Sequence, residues 1–259
     1  MIAQRLTGAR LHLQHGPIDV VLRGWGEAAQ VAAAERAAAA RFDGLLEELV
    51  AELPELRRDM RDTPLLQGAV ARRMAAGCAP FAARGVFVTA MAAVAGAVAD
   101  ELLAAMRKAA PRLRKAYVND GGDIALFVAE GESLAVGMAA DPGGVAAAPV
   151  FDGALRIAAE HGIGGIATSG RHGRSLSLGI ADAVTVLAAD AATADAAATL
   201  IANAVDLDSP AIRRAPARSL DPDSDLGERL VTVEVGPLAS QDAAAALAAG
   251  VARAEAWCR

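Results

Sequence analysis

Alternating apolar and polar residues near the N-terminus predict a β-hairpin. Residues 9–14 (ARLHLQ) alternate, a His-Gly-Pro turn follows, and residues 18–25 (IDVVLRGW) continue as a second strand. The spacing then changes to a helical one over residues 27–53, with a break near Gly44 and a stop at Pro54. The chain therefore opens with a hairpin that leads into helices.

Apolar residues at helical spacing recur along the rest of the chain. Further helices are predicted over a segment that ends near Gly77 and over residues 86–106, 150–160, 191–205 and 241–257. Asp190 stands directly before the fourth of these and is the predicted N-cap.

Strand patterns cluster after Pro111. They cover residues 116–118, 124–129, 133–139, 166–168, 183–187 and 230–235. Residues 206–227, rich in Pro, Asp, Arg and Ser, are predicted to form a surface loop. Because strands and helices mix without a regular βαβ period, the predicted class is α+β, with mixed sheets flanked by helices.

Composition narrows the possible classes of protein. The 259 residues are 54% apolar, which is enough to bury a core as a single domain or as two closely packed lobes. A formal charge of −6 provides no global positive field, so nucleic acid is not an expected partner. The longest apolar run, residues 85–99, is shorter than a membrane-spanning helix, and no secretory signal is evident at the N-terminus.

The two cysteines, Cys78 and Cys258, form no clustered pattern that would indicate a disulfide framework or a zinc site. We therefore expect a cytoplasmic protein without a membrane partner.

A glycine-rich stretch, residues 118–127 (VNDGGDIALF), has two interpretations. Asp-Gly and Gly-Gly are common hairpin connections, so the stretch can be a plain turn. Alternatively, Asn119, Gly121 and Gly122 bring backbone N–H groups to an anion or a metal-bound group. Two carboxylates, Asp120 and Asp123, stand beside this loop, and Asp123 is the candidate orienting or catalytic one.

The predicted helix over residues 191–205 carries a candidate metal site. Asp195 and Thr199 are four residues apart and share a helix face, and together they offer hard oxygen ligands to Mg²⁺. The alternative is that both side chains only cap or solvate an alanine-rich helix.

A polar loop over residues 168–177 is a candidate phosphate cradle. It combines hydroxyls, glycines, arginines and one histidine, which is the nearby candidate base. The candidate ligands are Thr168, Ser169, Gly170, Arg171, Arg174 and Ser175, and the candidate base is His172. The alternative is an ordinary surface loop.

Several familiar signatures are absent from the sequence. There is no GxxxxGK[ST], HExxH, GxSxG or EF-hand loop. The match of residues 162–167 (GIGGIA) to GxGxxA follows a helical pattern and does not open a helix, so it does not indicate a dinucleotide-binding fold.

Taken together and in this order, the segments resemble the ApbE-like superfamily, whose characterised members are FAD:protein FMN transferases. The similarity extends over roughly residues 85–205. Its motifs are N-x-G-G-D-I at 119–124, a V-G strand at 136–138 with Pro142, T-S-G at 168–170, V-T-V at 184–186 and D-x-x-x-T at 195–199. The resemblance implies an ApbE-like fold, Mg²⁺ held by Asp195 and Thr199, and a flavin nucleotide near the glycine-rich segments.

Two motifs of the transferases are missing. Where they have K-G-x-x-x-D, this chain has Ala95-Gly96 with Asp100 retained, and their H-[IL]-[IL]-D-P stretch is replaced by residues 175–179 (SLSLG). His172 does not match the position of the family histidine. The pattern is more similar to an uncharacterised bacterial and archaeal branch of the superfamily.

Three functions follow as hypotheses. The first is a Mg²⁺-dependent enzyme that processes the pyrophosphate of a nucleotide such as FAD, or transfers flavin. The second is a non-catalytic protein that binds a phosphorylated small molecule or nucleotide on the same fold. The third is a scaffold in which the alanine-rich helices are buried in a homo-oligomer.

Overall fold

The computed structural model describes residues 1–138, 153–173 and 175–258. The chain divides into two compact units, the first made of residues 1–167 and 187–195 and the second of residues 168–186 and 196–259. Each unit has its own set of buried apolar side chains.

Strands dominate the described chain. They are β1 (Ile2–Leu6), β2 (Arg10–His15), β3 (Ile18–Trp25), β4 (Lys115–Asp120), β5 (Asp123–Val128), β6 (Ser133–Met138), β7 (Gly153–Ala158), β8 (Gly165–Ser169), β9 (Val184–Ala188), β10 (Ile212–Pro216) and β11 (Leu230–Val235). Seven form one sheet in the order β1-β2-β3-β4-β5-β8-β9, antiparallel from β1 through β8, while β6–β7 and β10–β11 are separate antiparallel ribbons.

The helices lie mostly in two groups along the chain. They are α1 (Ala28–Phe42), α2 (Leu45–Ala51), α3 (Leu53–Leu56), α4 (Ala69–Ala82), α5 (Val94–Ala109), α6 (Ala191–Ala204), α7 (Ala217–Leu220) and α8 (Ser240–Trp257). The mixture of a large antiparallel sheet with helices confirms the α+β class. None of the helices in the described residues is both long and apolar enough to cross a membrane.

One face of the large sheet is covered by helices in the first unit. Alternate residues of β3, from Ile18 to Gly24, are buried, as the hairpin pattern predicts. The apolar face of α5 packs against α1, α4, β4 and β5. Among the fully buried side chains are Leu13, Leu22, Phe42, Met74, Leu102 and Met106.

The predicted helix over residues 150–160 is wrong, because the described part of this segment contains strand β7. Ile157 pairs with Leu134 of β6, and both side chains are buried with Leu126 and Ile166 of the large sheet. Leu155 and Ile157 are two residues apart and share a strand face, so burial against the sheet overrides the helical tendency of the alanines around them.

The second unit has a small apolar core and a two-stranded ribbon, of which β11 was predicted and β10 was not. Residues 206–227 are not a continuous loop, since they include β10 and the short helix α7. β10 pairs with β11, and Ile212, opposite Val235, is buried with Ala202, Val205 and Ala246. Arginines and a proline surround Ile212 in the sequence and conceal the strand pattern.

Candidate functional site

The stretch between β4 and β5 is a two-residue hairpin turn. Gly121 and Gly122 both have positive φ, of 64° and 114°, and Asp120 pairs with Asp123 across the turn. The backbone N–H of Gly122 donates to Asn119 Oδ1 at 2.8 Å. That N–H is therefore already used within the turn, which supports the structural interpretation of Asn119 and Gly122.

Besides burial, Asp123 and Asp120, the carboxylates on the two sides of this turn, raise the pKa of a third carboxylate, Asp195 on α6. Asp195 is only 9% exposed and Asp120 only 3%. Burial raises the pKa of Asp195 well above its usual value, and the negative charges of Asp123 and Asp120 raise it further. In the first unit, the charges of Asp123 and Asp120, the two carboxylates of the glycine-rich stretch, therefore act on Asp195.

Asp195 also caps helix α5. Its Oδ2 accepts the backbone N–H of Gly96 at 3.0 Å, and a hydrogen bond from the backbone of Ala95 lowers its pKa, partly offsetting burial. Both N–H groups belong to the first turn of α5, where helix geometry provides no acceptor. Helix capping is therefore one role of Asp195 that needs no metal.

Helix α5 in turn caps α6 through Asp100. The two carboxylate oxygens of Asp100 accept the N–H groups of Ala191 and Ala192, at 3.1 and 2.9 Å. Asp190 accepts the N–H of Thr193 at 2.7 Å, which confirms it as the predicted N-cap. Each helix thus supplies a carboxylate that caps the other helix.

Close backbone contact makes this reciprocal capping possible. A Cβ atom on Gly96 would lie 2.2 Å from the carbonyl oxygen of Ala191, and one on Gly77 would lie 2.8 Å from the backbone of Ala192. Only glycine fits at Gly96. The Gly96 and Asp100 positions of the family pattern therefore have a structural explanation in the crossing of α5 and α6.

The buried environment of Asp100 predicts a pH-dependent stability. Burial raises the pKa of Asp100 to about 6, although the N–H groups of Ala192 and Ala191 oppose the shift. Between about pH 4 and about pH 6 the folded protein therefore holds a proton that the unfolded chain has released, and the contribution of Asp100 to stability falls as pH rises through this window. A shift of roughly two pKa units corresponds to about 3 kcal/mol.

Denaturant unfolding of wild type and Asp100→Asn at about pH 4 and about pH 7.5 measures this contribution, since the variant has no proton to lose at residue 100. We expect wild type to lose stability relative to the variant as pH rises. A difference that is the same at both pH values would contradict the prediction.

In the second unit, the predicted hydroxyl residues contact one another. Thr199 Oγ1 donates to Ser169 Oγ at 3.3 Å, and the hydroxyls of Thr168 and Thr185 are 2.9 Å apart. Asn203, one turn beyond Thr199 on α6, accepts the N–H of Leu178 at 2.9 Å and so anchors the chain that follows the polar loop.

The arginine and histidine of the polar loop share one partner, Asp182. Arg171 Nε donates to Asp182 Oδ1 at 2.8 Å, and His172 Nε2 lies 3.1 Å from the same oxygen. A carboxylate beside an imidazole can fix the orientation of the ring. Asp182 was not predicted as a site residue, although it stands only two residues before the V-T-V strand.

Gly170 is required for local packing in this loop. A Cβ atom there would lie 2.1 Å from the carbonyl oxygen of Asp182. Ser175 is exposed, and the predicted residues Arg174 and Pro142 lie outside the described residues.

Comparisons with known proteins identify the family. A family model described as "AbpE bacteria" matches residues 3–259. The chain belongs to this family. A "UPF0280 protein" of Methanothrix thermoacetophila is 43% identical to it over 105 residues, which is 40% of this chain and 40% of the relative. The chain thus aligns with less than half of that relative, and neither description names an activity.

The resemblance to the ApbE-like superfamily implies a Mg²⁺ site. The oxygen atoms around Asp195 provide some of the ligands that such a site needs. Among the described residues no three His, Cys, Asp or Glu side chains converge as ligands of one ion. Mg²⁺, however, usually takes one or two carboxylates and keeps several waters. The raised pKa of Asp195 reflects burial beside other negative charges, and a divalent cation would relieve that repulsion. Asp195 would be the carboxylate ligand, and Thr199 on the same helix remains a predicted one.

Proposed function

We propose that this member of the family is a Mg²⁺-dependent enzyme that processes the pyrophosphate of a nucleotide, with FAD as the first candidate substrate. The observation that supports the proposal is the buried carboxylate of Asp195 beside Asp120 and Asp123. Burying a carboxylate among like charges is costly, and a bound cation would offset that cost. When bound, Mg²⁺ would neutralise phosphate oxygens on which charge develops during phosphoryl transfer.

The roles proposed in the first unit follow from the contacts of each residue. Asp195 binds the cation, because its carboxylate is buried and feels the negative charges of both other carboxylates. Asp123 orients the ligand from the end of the hairpin turn, and Asp120 strengthens the negative potential that attracts the cation. Gly121 keeps the turn between these two carboxylates short.

In the second unit, the proposed roles are phosphate contact and proton transfer. The hydroxyls of Thr168, Ser169 and Thr199 are hydrogen-bond donors that suit phosphate oxygens, and Arg171 supplies a guanidinium. His172 is 64% exposed on its side chain and is paired with Asp182, so it can accept a proton from an attacking group. Gly170, Arg174 and Ser175 remain predicted contacts of the same loop.

Ligand binding without catalysis is the second candidate function. Ala95 stands where the transferases have lysine, and an alanine side chain has no acid or base chemistry. In the stretch that replaces the family histidine motif, Ser177 is buried and donates to the carbonyl of Gly179 at 3.2 Å. These two substitutions favour a protein that retains the ligand and leaves it intact.

Product analysis separates the two candidates. Purified protein is incubated with FAD and Mg²⁺, and FMN and AMP are quantified by chromatography and mass spectrometry. The enzyme hypothesis predicts both products at rates that fall at least 100-fold in Asp195→Asn, the order expected when charge stabilisation of the transition state is lost. FAD that is bound but recovered intact would favour the binding protein and contradict the enzyme.

A further inference from the structure

The face of the large sheet opposite to the helices carries a row of polar side chains that crosses three strands. Leu22 of β3 is fully buried on the face that the helices cover, so the next residue, Arg23, lies on the other face. On β4, Tyr117 pairs with Arg23 and shares its face. On β2, Leu11 lies opposite Leu22, so Arg10 is the neighbour of Arg23 on its other side. The three side chains form the Arg10–Arg23–Tyr117 row.

Arg10 and Arg23 place two positive charges side by side in this row. Like charges directly opposite each other on neighbouring strands destabilise a sheet. Among the described residues neither guanidinium forms an ion pair, since Arg10 donates to the carbonyl and the hydroxyl of Thr7, at 2.9 and 3.3 Å. Asp19, the carboxylate of β3 on the same face, lies 2.8 Å from Nε2 of His12. Two adjacent positive charges are therefore left for an anion to balance.

Arg23 is held in place before any ligand binds. Its guanidinium carbon lies 4.4 Å from the centre of the Trp25 ring, and this ring lies 5.9 Å from that of Tyr117. Both rings pack against a buried apolar cluster that includes residues of the β6–β7 ribbon. Nε of Arg23 is buried and has no hydrogen-bond partner in the described part of the chain. Such a donor is costly, and proteins usually satisfy it with a ligand, an ion or water.

Tyr117 adds a neutral donor to the row. Burial raises the pKa of Tyr117, while the charges of Arg10 and Arg23 oppose the rise, as expected for guanidiniums near the phenol. At neutral pH the phenol keeps its proton and can donate a hydrogen bond. The row therefore offers a ligand two guanidiniums and one hydroxyl.

We propose that the Arg10–Arg23–Tyr117 row binds a phosphate group, either inorganic phosphate or a phosphate monoester. A phosphate group carries close to two negative charges at neutral pH, which match the two unpaired guanidiniums. Guanidinium groups also fit phosphate oxygens geometrically, and the phenol can donate to a further oxygen. A carboxylate balances only one of the two charges and should bind more weakly.

The row is separate from the proposed cation site. Asp120 and Tyr117 are three residues apart on β4, and an odd separation along a strand puts two side chains on opposite faces of the sheet. Asp120 pairs with Val20, which is buried on the helix-covered face. Asp195→Asn should therefore leave phosphate binding by the row unchanged, so failure of one proposal does not imply failure of the other.

Tryptophan fluorescence, recorded in EDTA so that no metal ion contributes, provides the test. The chain has two tryptophans, and a Trp257→Phe background leaves Trp25, whose ring lies against Arg23, as the single reporter. The probes are inorganic phosphate, phenyl phosphate and the singly charged benzoate. We expect saturable binding of at least one phosphate, about tenfold or more tighter than that of benzoate. The tighter of the two phosphates shows whether the ligand is free phosphate or an ester.

Three variants make the test specific. Arg23→Gln should weaken phosphate binding about tenfold or more, and Tyr117→Phe, which lacks only the hydroxyl, about threefold or more. Arg58→Gln is the matched control, because Arg58 lies near α3 and is paired with Glu55 at 3.0 Å; it should leave the affinity unchanged.

Thermal unfolding separates a loss of binding from a loss of folding. Saturating phosphate should raise the Tm of wild type and of Arg58→Gln, and should raise that of Arg23→Gln less, because a ligand stabilises only the state that binds it. No saturable binding of either phosphate, benzoate binding as tight as phosphate, or wild-type affinity in folded Arg23→Gln would each overturn the proposal.

Discussion

The proposed cation site predicts that Mg²⁺ stabilises this protein and that replacing Asp195 by asparagine abolishes the effect. In wild type, a cation that binds only the folded state at a hundred times its Kd adds about 2.7 kcal/mol. For a chain of this size that corresponds to a rise in Tm of roughly 5–10 °C. Asparagine keeps an oxygen that can accept the N–H of Gly96 but removes the negative charge. Without Mg²⁺ the variant should be at least as stable as wild type, because a buried charge beside Asp120 and Asp123 has been removed.

Asp100→Asn is the matched control for this experiment. Asp100 also caps a helix in the same crossing of α5 and α6, yet Asp120 and Asp123 are not among the groups that shift its pKa. Thermal unfolding with Mg²⁺ or with EDTA should therefore show the cation effect in wild type and Asp100→Asn and not in Asp195→Asn. Stabilisation of Asp195→Asn by Mg²⁺ would contradict the metal-ligand role of Asp195, and so would the absence of stabilisation in wild type. In either case helix capping would be its remaining role.

Replacing Gly96 by alanine is expected to destabilise the first unit severely. Helix propensity alone favours alanine over glycine by about 1 kcal/mol. The new methyl group, however, would lie 2.2 Å from the carbonyl oxygen of Ala191, where backbone and not a flexible side chain must move. Separating α5 from α6 would also weaken both sets of capping bonds. We expect a loss of about 3 kcal/mol or more, at the upper end of overpacking effects.

Gly77→Ala provides a graded comparison for Gly96→Ala. Gly77 is also a glycine within a helix, and its added Cβ would lie 2.8 Å from the backbone of Ala192, a less severe overlap. Denaturant unfolding should rank the proteins as wild type, Gly77→Ala and Gly96→Ala in order of falling stability. Gly96→Ala with wild-type stability would show that the helices can separate at little cost.

Local patterns in the sequence were sufficient to predict the parts of the fold that depend on neighbouring residues. The alternation of β3, the positive-φ turn at Gly121 and Gly122, and the capping of α6 by Asp190 are all local features. Each depends on residues within a few positions of one another, where pleat, turn and helix-end rules apply directly.

Features that depend on distant pairing could not be read from local patterns. The strand character of β7 arises from pairing with β6, and β10 is a strand because it pairs with β11. Similarly, Asp100 and Asp195 are 95 residues apart in number, and only the crossing of α5 and α6 reveals that each caps the other helix. From the sequence, Asp195 is predicted to be a metal ligand, and its capping of a distant helix has no local signal.

The candidate site residues could be named from the sequence, whereas some of the carboxylates that interact with them could not. Asp182, which contacts both Arg171 and His172, was not predicted, and Asp120 was predicted as a carboxylate of the glycine-rich stretch but not as a neighbour of Asp195. Carboxylates of this kind have no motif of their own, since their importance comes from what the fold places beside them.

A calorimetric titration of wild-type protein with FAD, in Mg²⁺ and again in EDTA, tests the central claim most directly. We expect saturable binding in Mg²⁺ that is weakened at least tenfold in EDTA, because the proposed cation would link the buried carboxylate to the phosphates. Equal affinity in both conditions would contradict a metal-dependent nucleotide site at Asp195, and no binding in either would remove FAD as the substrate.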